Sequence, residues 1–540
     1  MPSIVDSKLK IQGLENWFTE NQITYDKDKL IINVAPDHSI FINALQDLEL
    51  DQTVCRIPKE AVLSVRNCGI ADIMEENLIS GIFGLTFALV FEQSKGELSP
   101  WFGYIQSLPP RVNVPMLWTP ESLQMLQGTF LHETLEWDRK ALVQDYNEYV
   151  VPLFQKHPDV LNASELTVEK FVDAYSIVTS RAFMVDAYLG NCLVPFADIF
   201  NHKTDGEHVH FEADSDVCEF CGKAYGTCGC EVSFDSDSEG DEWESESNNS
   251  KEESIDESID ELEDIDHESI EDEDNIMVMS VVRPCKRGQE VFNTYGCLPN
   301  TDLLNLYGFC EKDNAYMVRK ISASTIAQVA STSSVIDSTS LEHRLALLKE
   351  DAFQDSIGAL LSELQKEFLE SNNLSMSCDG TCHHEHHGED HEDHGEHHEE
   401  VSVDFETFEI PESGEPPFEL LVFMIILFAP PKLFKRWHKS PSSAIDYIRR
   451  ITTEGDWSDP LDKLKQLDTK FKHQVIGVGL VSLFRYLLTR YETSFEETCK
   501  LLESRGKVND ETYFVLVLRH EEQLILNNAI EWCSSTLIEE

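Results

Sequence analysis

The stretch Leu193-Val-Pro-Phe-Ala-Asp-Ile-Phe-Asn-His202 decides how the chain is read. An apolar run ends abruptly in three polar residues, Asp198, Asn201 and His202, and the sequence beyond it dissolves into charge and cysteine. About ninety residues later comes a second compact motif, Gly288-Gln-Glu-Val-Phe-Asn-Thr-Tyr-Gly296. The expectation is that the two meet in space and form one site, with the rest of the chain feeding or decorating it. Taken alone, Asn201-His202 is also what a turn after a strand looks like.

Working outward, β-type segments flank a helical block. Leu30–Val34, Ser39–Asn43 and Thr53–Ile57 are strand candidates between turn residues, after an amphipathic helix over 8–24 with Leu9, Leu14, Trp17 and Phe18 near one face. Helices follow over Asn77–Glu92, Leu123–Glu133, Trp137–Phe154 and Thr167–Phe183, the last capped by Thr167. The β pattern returns at Asn191–Phe196, His208–Phe211, Met277–Val282 and Glu290–Asn293. One β domain interrupted by a helical insertion fits this order. From residue 315 to 540 the 3.6-residue period predicts a separate all-α domain, with helices at Glu342–Leu369, Phe418–Phe428, Ser442–Thr452, Pro460–Glu492, Phe495–Ser504 and Asn509–Trp532.

Length and composition agree with several domains: 540 residues, 41 % hydrophobic, and a formal net charge of −57. Residues 231–275 hold 22 acidic side chains and one lysine, and residues 379–400 hold nine acidic side chains and neither lysine nor arginine. The first run has too little apolar surface to offset its ordering entropy and is expected to be disordered. So acidic a chain should avoid nucleic acid and favour cationic partners, although acidity also simply confers solubility. Met1–Lys10 lacks the apolar core of a signal peptide. The run Phe418–Ala429 contains Glu419 and is shorter than the roughly 20 residues a bilayer requires. No membrane association is expected, and the 14 cysteines are expected to be reduced thiols in an intracellular monomer.

Cys218-Glu-Phe-Cys221 and Cys228-Gly-Cys230 place four thiols within 13 residues. Such a set suits tetrahedral zinc, although Cys-x-Cys is tighter than the usual second pair. The alternative is a reduced, exposed loop. Cys378, Cys382 and eight histidines between His383 and His398 read first as a low-complexity loop and second as a loose metal site.

The two focal motifs, with Asn300-Thr-Asp-Leu-Leu-Asn-Leu-Tyr-Gly-Phe309 after them, resemble SET-domain protein lysine methyltransferases of the Rubisco large-subunit methyltransferase-like class. Within it they look most like the fungal ribosomal-protein lysine methyltransferases. Ser99-Pro-Trp-Phe-Gly-Tyr-Ile-Gln-Ser-Leu-Pro109, Trp118-Thr-Pro-Glu-Ser-Leu-Gln-Met-Leu-Gln-Gly-Thr129 and Thr179-Ser-Arg-Ala-Phe183 are similar to insertion segments of that class. The resemblance implies an α+β chain: a β-rich SET fold with knot-like C-terminal threading, a long helical insertion, and a C-terminal all-α substrate-binding domain. The implied domains are an N-terminal helix (1–24), the first SET part (25–65), the helical insertion (66–188), the second SET part (189–312) and the helical domain (315–540). The second SET part carries the cysteine cluster (218–230) and the acidic insert (231–275), and the helical domain carries the histidine-rich loop (378–400).

The same resemblance implies S-adenosylmethionine as cofactor, held by Arg181, Asn201, His202 and Tyr295, with Tyr295 and Tyr307 as the catalytic tyrosines of a lysine channel. Without the resemblance, each tyrosine is equally a core residue with a satisfied hydroxyl, and Arg181 a surface charge. The implied partner is a lysine-rich protein, foremost a ribosomal protein, with the large-subunit protein numbered forty-two a specific target and histones or translation factors as alternatives. The implied compartment is the nucleus, with the cytoplasm as alternative. One departure stands out. The family's Gly-x-Gly before the first SET strand falls on Ser39 and Phe41 here, which keeps a SET-like binding or metal-handling protein without activity as a rival reading.

Overall fold

The first of the two compact units is drawn from residues 1–110, 151–202 and 206–293, the second from 111–150, 203–205 and 294–540. They are seen in a computed structural model that describes residues 4–35, 39–213, 217–223, 228, 230, 275–332, 338–371, 405–453, 477–504 and 510–537. The histidine-rich loop at 378–400 lies outside the described residues, as does the acidic insert 231–275 except for Asn275. The division cuts across the expected insertion 66–188, whose residues 111–150 go with the second unit.

The first unit is built on strands β1 (Thr24–Tyr25), β2 (Leu30–Val34), β3 (Ile40–Ala44), β4 (Thr53–Pro58), β5 (Ala182–Met184), β6 (Asn191–Leu193), β7 (Asn201–His202), β8 (Val209–Glu212), β9 (Ile276–Val281) and β10 (Phe292–Asn293). An antiparallel sheet runs β1-β4-β9-β8. Its central strand β9 alternates cleanly, with Met277, Met279 and Val281 buried on one face, as a strand covered on one side should. Three smaller pairs, β2–β3, β5–β6 and β7–β10, complete the unit.

Before the sheet lies the helix Ile4–Glu20, which buries Leu14, Trp17 and Phe18. Leu9, expected on the same face, is 62 % exposed. The helix Gly81–Lys95 is enclosed from Gly84 to Glu92. Its buried Glu92 carboxylate is matched by Ser99 Oγ at 2.7 Å, the Gly69 amide at 2.8 Å and Lys95 Nζ at 3.0 Å, as a charge taken from water requires. The helix Val168–Arg181 packs beside it. Thr167 is its N-cap, its hydroxyl accepting from the Lys170 amide, as the sequence predicts. The helix expected at Trp137–Phe154 is instead Phe130–Asp145, a wide turn over Tyr146–Val150, and Val151–Lys156, and Trp137 is 72 % exposed.

The second unit is mainly helical, yet the all-α expectation for 315–540 needs correction. Strands β11 (Val318–Ser322) and β12 (Thr407–Pro411) pair antiparallel. Beside them the helix Phe418–Phe428 buries every side chain from Leu420 to Leu427. Among the described residues no helix is long and apolar enough to cross a membrane. Arg344, 2 % exposed, closes the C-terminal end of that buried helix. Its guanidinium donates to the carbonyls of Ile426 (2.7 Å), Leu427 (3.0 Å) and Ala429 (2.8 Å). These carbonyls have no partner within the helix and would be costly to bury bare.

The last long helix, Asp510–Thr536, carries a second buried polar set. Asn300 Nδ2 donates to Glu521 Oε1 at 2.6 Å, and burial pushes the Glu521 carboxyl up to about 8. At neutral pH the folded chain therefore keeps a proton that the unfolded chain has released. The stability from this group is full below the ordinary carboxylate range and is lost as pH rises through about 8. Glu521→Gln, which mimics the protonated form, is expected to flatten the fall of the unfolding midpoint between pH 6 and 9. An unchanged slope in a pH series of urea melts would refute this assignment.

Candidate active site

The sequence places Asn201-His202 after an apolar run, and the structure shows how that run delivers them. Ala197–Ile199 forms a single tight helical turn that leads through Phe200 into β7. Before the turn, Phe196 adopts φ +77°, ψ −48°, a region that non-glycine residues occupy only under strain of about 1–3 kcal/mol. It is held there by an aromatic cluster in which Phe18, Phe196 and Phe200 are fully buried and Tyr25 half-buried. Its ring lies 4.6 Å from Tyr25 in a stack and 5.7 Å from both Phe18 and Phe200. Burying one such ring contributes about 1.5–3 kcal/mol, enough to offset the strain.

Asp198, 7 % exposed, anchors the turn from beneath. Tyr104 donates its hydroxyl to Asp198 Oδ2 at 2.9 Å. Arg181 Nη1 donates to the Asp198 carbonyl at 2.7 Å and reaches Oδ2 at 3.3 Å. Burial raises the Asp198 carboxyl, opposed by the charge of Arg181 and the Tyr104 hydrogen bond. The Tyr104 phenol is driven well up by burial and by Asp198, so it stays a donor. Arg181 thus ties the end of its helix to the turn that presents Asn201.

The two sequence motifs do meet. β7 and β10 pair in parallel, Asn201 opposite Phe292 and His202 opposite Asn293. Asn201 Nδ2 donates to Glu290 Oε1 at 2.7 Å. His208 braces the pair: its amide donates to the Phe292 carbonyl at 2.7 Å, while its Nδ1 accepts from the Phe292 amide at 3.2 Å. That acceptor role assigns the ring proton to Nε2. On the other side the Gly288 and Val291 amides donate to the carbonyls of Ala44 and Ile42, and the Ala44 amide donates to Gln289. β3, which contains Phe41, therefore lies directly against the second motif. Phe41 itself pairs with Asn33 in a regular antiparallel register. His202 and Asn293 are buried, and Asn201 is exposed.

In the second unit Tyr295 and Tyr307 stack, ring centroids 4.5 Å apart and planes 22° from parallel. Tyr307 ends a wide helical turn over Leu303–Tyr307. The turn closes on Gly308 at φ +79°, where a Cβ would come within 2.8 Å of the Asn113 carbonyl. Only glycine fits both conditions. Burial pushes the Tyr307 hydroxyl up to about 12, so it is a neutral donor at physiological pH.

The four cysteines also converge. The Sγ atoms of Cys218, Cys221, Cys228 and Cys230 all lie within 4.8 Å of one another. Tetrahedral zinc with thiolates at about 2.3 Å requires sulfurs about 3.8 Å apart, so the set is compatible with one such ion. The Phe220 amide holds the Cys218 thiol down at about 7, whereas hydrogen bonding to Cys221 pushes the Cys230 thiol up to about 12, so without an ion the set favours a single thiolate on Cys218.

Sequence reasoning named Arg181, Asn201, His202, Tyr295, Tyr307 and the cysteines as candidates, and the structure pairs Asn201–His202 with the second motif, stacks the two tyrosines and gathers the four thiols. It missed Tyr104, His208 and Glu290 as supports, although Tyr104 and Glu290 both stand within motifs quoted above. Nothing in the sequence marked Phe196, since its backbone conformation is one that usually announces itself by glycine.

No protein-family model matches the chain. It aligns at 25 % identity over 336 residues with Ribosomal lysine N-methyltransferase 3 of Saccharomyces cerevisiae, covering 54 % of this chain and 60 % of that protein. It aligns at 24 % identity over 305 residues with N-lysine methyltransferase SETD6 of Homo sapiens, covering 53 % of this chain and 52 % of that protein. The chain therefore spans less than two thirds of the length of these relatives. Among solved structures, the SET domain of LSMT bound to lysine and AdoHcy superposes with a TM-score of 0.61 at 17 % identity, covering 99 % of this chain and 92 % of that one. Rubisco LSMT bound to sinefungin and monomethyllysine superposes with a TM-score of 0.59 at 16 % identity, covering 97 % and 92 %. By sequence the chain is similar to these N-lysine methyltransferases, and its fold is that of the SET domain of LSMT.

Proposed function

We propose that the chain is an S-adenosylmethionine-dependent protein-lysine N-methyltransferase. The observation that carries this reading is the parallel pairing of Asn201–His202 with Phe292–Asn293, which joins two motifs ninety residues apart into one element. In this reading Asn201 and His202 hold the cofactor from that element. Arg181 reaches the cofactor carboxylate, or serves it indirectly by fixing the turn through Asp198. Bound S-adenosylmethionine supplies an electrophilic methyl on a sulfonium. The chain's own task is to present a neutral lysine amine in line with it. A desolvated channel lowers the amine pKa, and Tyr295 and Tyr307 orient the nitrogen through their hydroxyls. The knot-like threading implied by the resemblance is part of the same proposal.

A lysine-rich protein suits the net charge of −57, and a ribosomal protein is the first candidate, with large-subunit protein forty-two a specific target. A nuclear site of action, with the cytoplasm as alternative, goes with that substrate. The test uses purified ribosomal subunits, histones and translation factors as separate acceptors with labelled S-adenosylmethionine. Label concentrated in a ribosomal band supports the reading. Label confined to histones or factors replaces the substrate and keeps the enzyme.

A further inference from the structure

We propose that Cys218, Cys221, Cys228 and Cys230 bind a single structural zinc ion. This inference is independent of the methyltransferase reading. The four sulfurs lie within 4.8 Å of one another, so each needs to move by no more than about an ångström to reach the edge of a zinc tetrathiolate. That closeness selects one ion. An iron–sulfur cluster inserts bridging atoms between the thiolates and spreads them, and soft thiolate donors exclude magnesium and calcium.

A second observation points the same way. The first cysteine pair sits on a tight knuckle: the Cys218 carbonyl accepts from the amides of Cys221 (3.3 Å) and Gly222 (2.8 Å), and the Cys218 amide donates to Lys223 at 2.8 Å. Gly222 turns the chain at φ +70°, and a Cβ there would meet the Tyr188 ring at 2.7 Å. Arg66 pins the knuckle to the body of its unit, donating to the carbonyls of Tyr188 and Glu219 and stacking 4.4 Å over the Tyr188 ring. Apolar burial does not account for this order. The knuckle's one aromatic side chain, Phe220, is 62 % exposed, and among the described residues of the segment only Val217 and Cys218 are buried. The described residues of this segment, with so little core, cannot offset their ordering entropy by packing, whereas a structural zinc supplies it directly. The ion would fix the chain between β8 and the acidic residues that follow Cys230.

The test is metal content of the full chain purified without chelator. About one zinc per chain is expected, lost in Cys218→Ser/Cys228→Ser and kept in Cys499→Ser. Cobalt exchanged into the site should give the intense visible absorption of a tetrahedral thiolate complex. If the double variant does not fold, zinc released from the wild-type chain by an organomercurial, followed with a metallochromic dye, reads the same stoichiometry. The proposal is overturned by a wild-type chain that neither contains nor takes up zinc. It is equally overturned by zinc retained in the folded double variant, or by thiol counts in denaturant that show these cysteines paired as disulfides.

Discussion

Tyr295→Phe is expected to lower the rate of methyl transfer by about 100-fold or more while leaving the fold unchanged. The substitution keeps the ring and its 4.5 Å stack on Tyr307 and deletes a single oxygen, so any loss belongs to the hydroxyl. In the proposed mechanism that hydroxyl orients the amine, and a misdirected nucleophile cannot approach the sulfonium carbon in line. Tyr307→Phe removes the second donor and is expected to have a smaller effect, because one hydroxyl remains. Initial rates with labelled cofactor, beside circular dichroism of each variant, decide the matter. Full activity in a folded Tyr295→Phe would remove this residue from the catalytic role.

The largest expected effect on stability is at Glu522, which is fully buried. Its Oε2 lies 3.4 Å from Arg319 Nε and accepts from Tyr491 Oη at 2.7 Å, while its Oε1 accepts from the Phe130 amide at 3.2 Å. Arg319, 1 % exposed, also donates to the Gly128 carbonyl at 3.3 Å. Glu522→Leu strands that guanidinium without its counter-charge, which costs about 3–5 kcal/mol. For a unit of this size the unfolding midpoint should fall by roughly 6–20 °C. The double variant Arg319→Met/Glu522→Leu removes both charges and should recover much of the loss. A Glu522→Leu midpoint within about 2 °C of wild type would show that the pair is not a structural charge pair.

The same two residues explain why part of the fold was hidden in the sequence. β11 reads Val318-Arg-Lys-Ile-Ser322, and its inward positions are Arg319 and Ile321. A charged residue at an inward position breaks the apolar alternation that announces a strand. Its neutralising partner stands two hundred residues later, and the pairing strand β12 lies about ninety residues away. By contrast, β2, β3, β4 and β9 are short runs rich in apolar residues between turn residues, and Thr167 announces its helix by local cap chemistry alone. The site divides in the same way. Asn201, His202 and Tyr295 could be named as candidates because each stands in a short motif. Arg181 was legible as a residue type, but its partner Asp198 becomes an anchor only once Tyr104 is folded against it. Leu9 shows the converse, since apolar type placed it on the face of Leu14, Trp17 and Phe18 and the chain leaves it in solvent.

The central claim is that the paired motifs serve methyl transfer to lysine. It is tested most directly by incubating the purified chain with methyl-labelled S-adenosylmethionine and a lysine-rich ribosomal protein fraction, then hydrolysing the product to amino acids. Label recovered as methyl-lysine from the wild-type chain, and absent with Tyr295→Phe, is the predicted result. No transfer to any protein, or label recovered on a residue other than lysine, would contradict it.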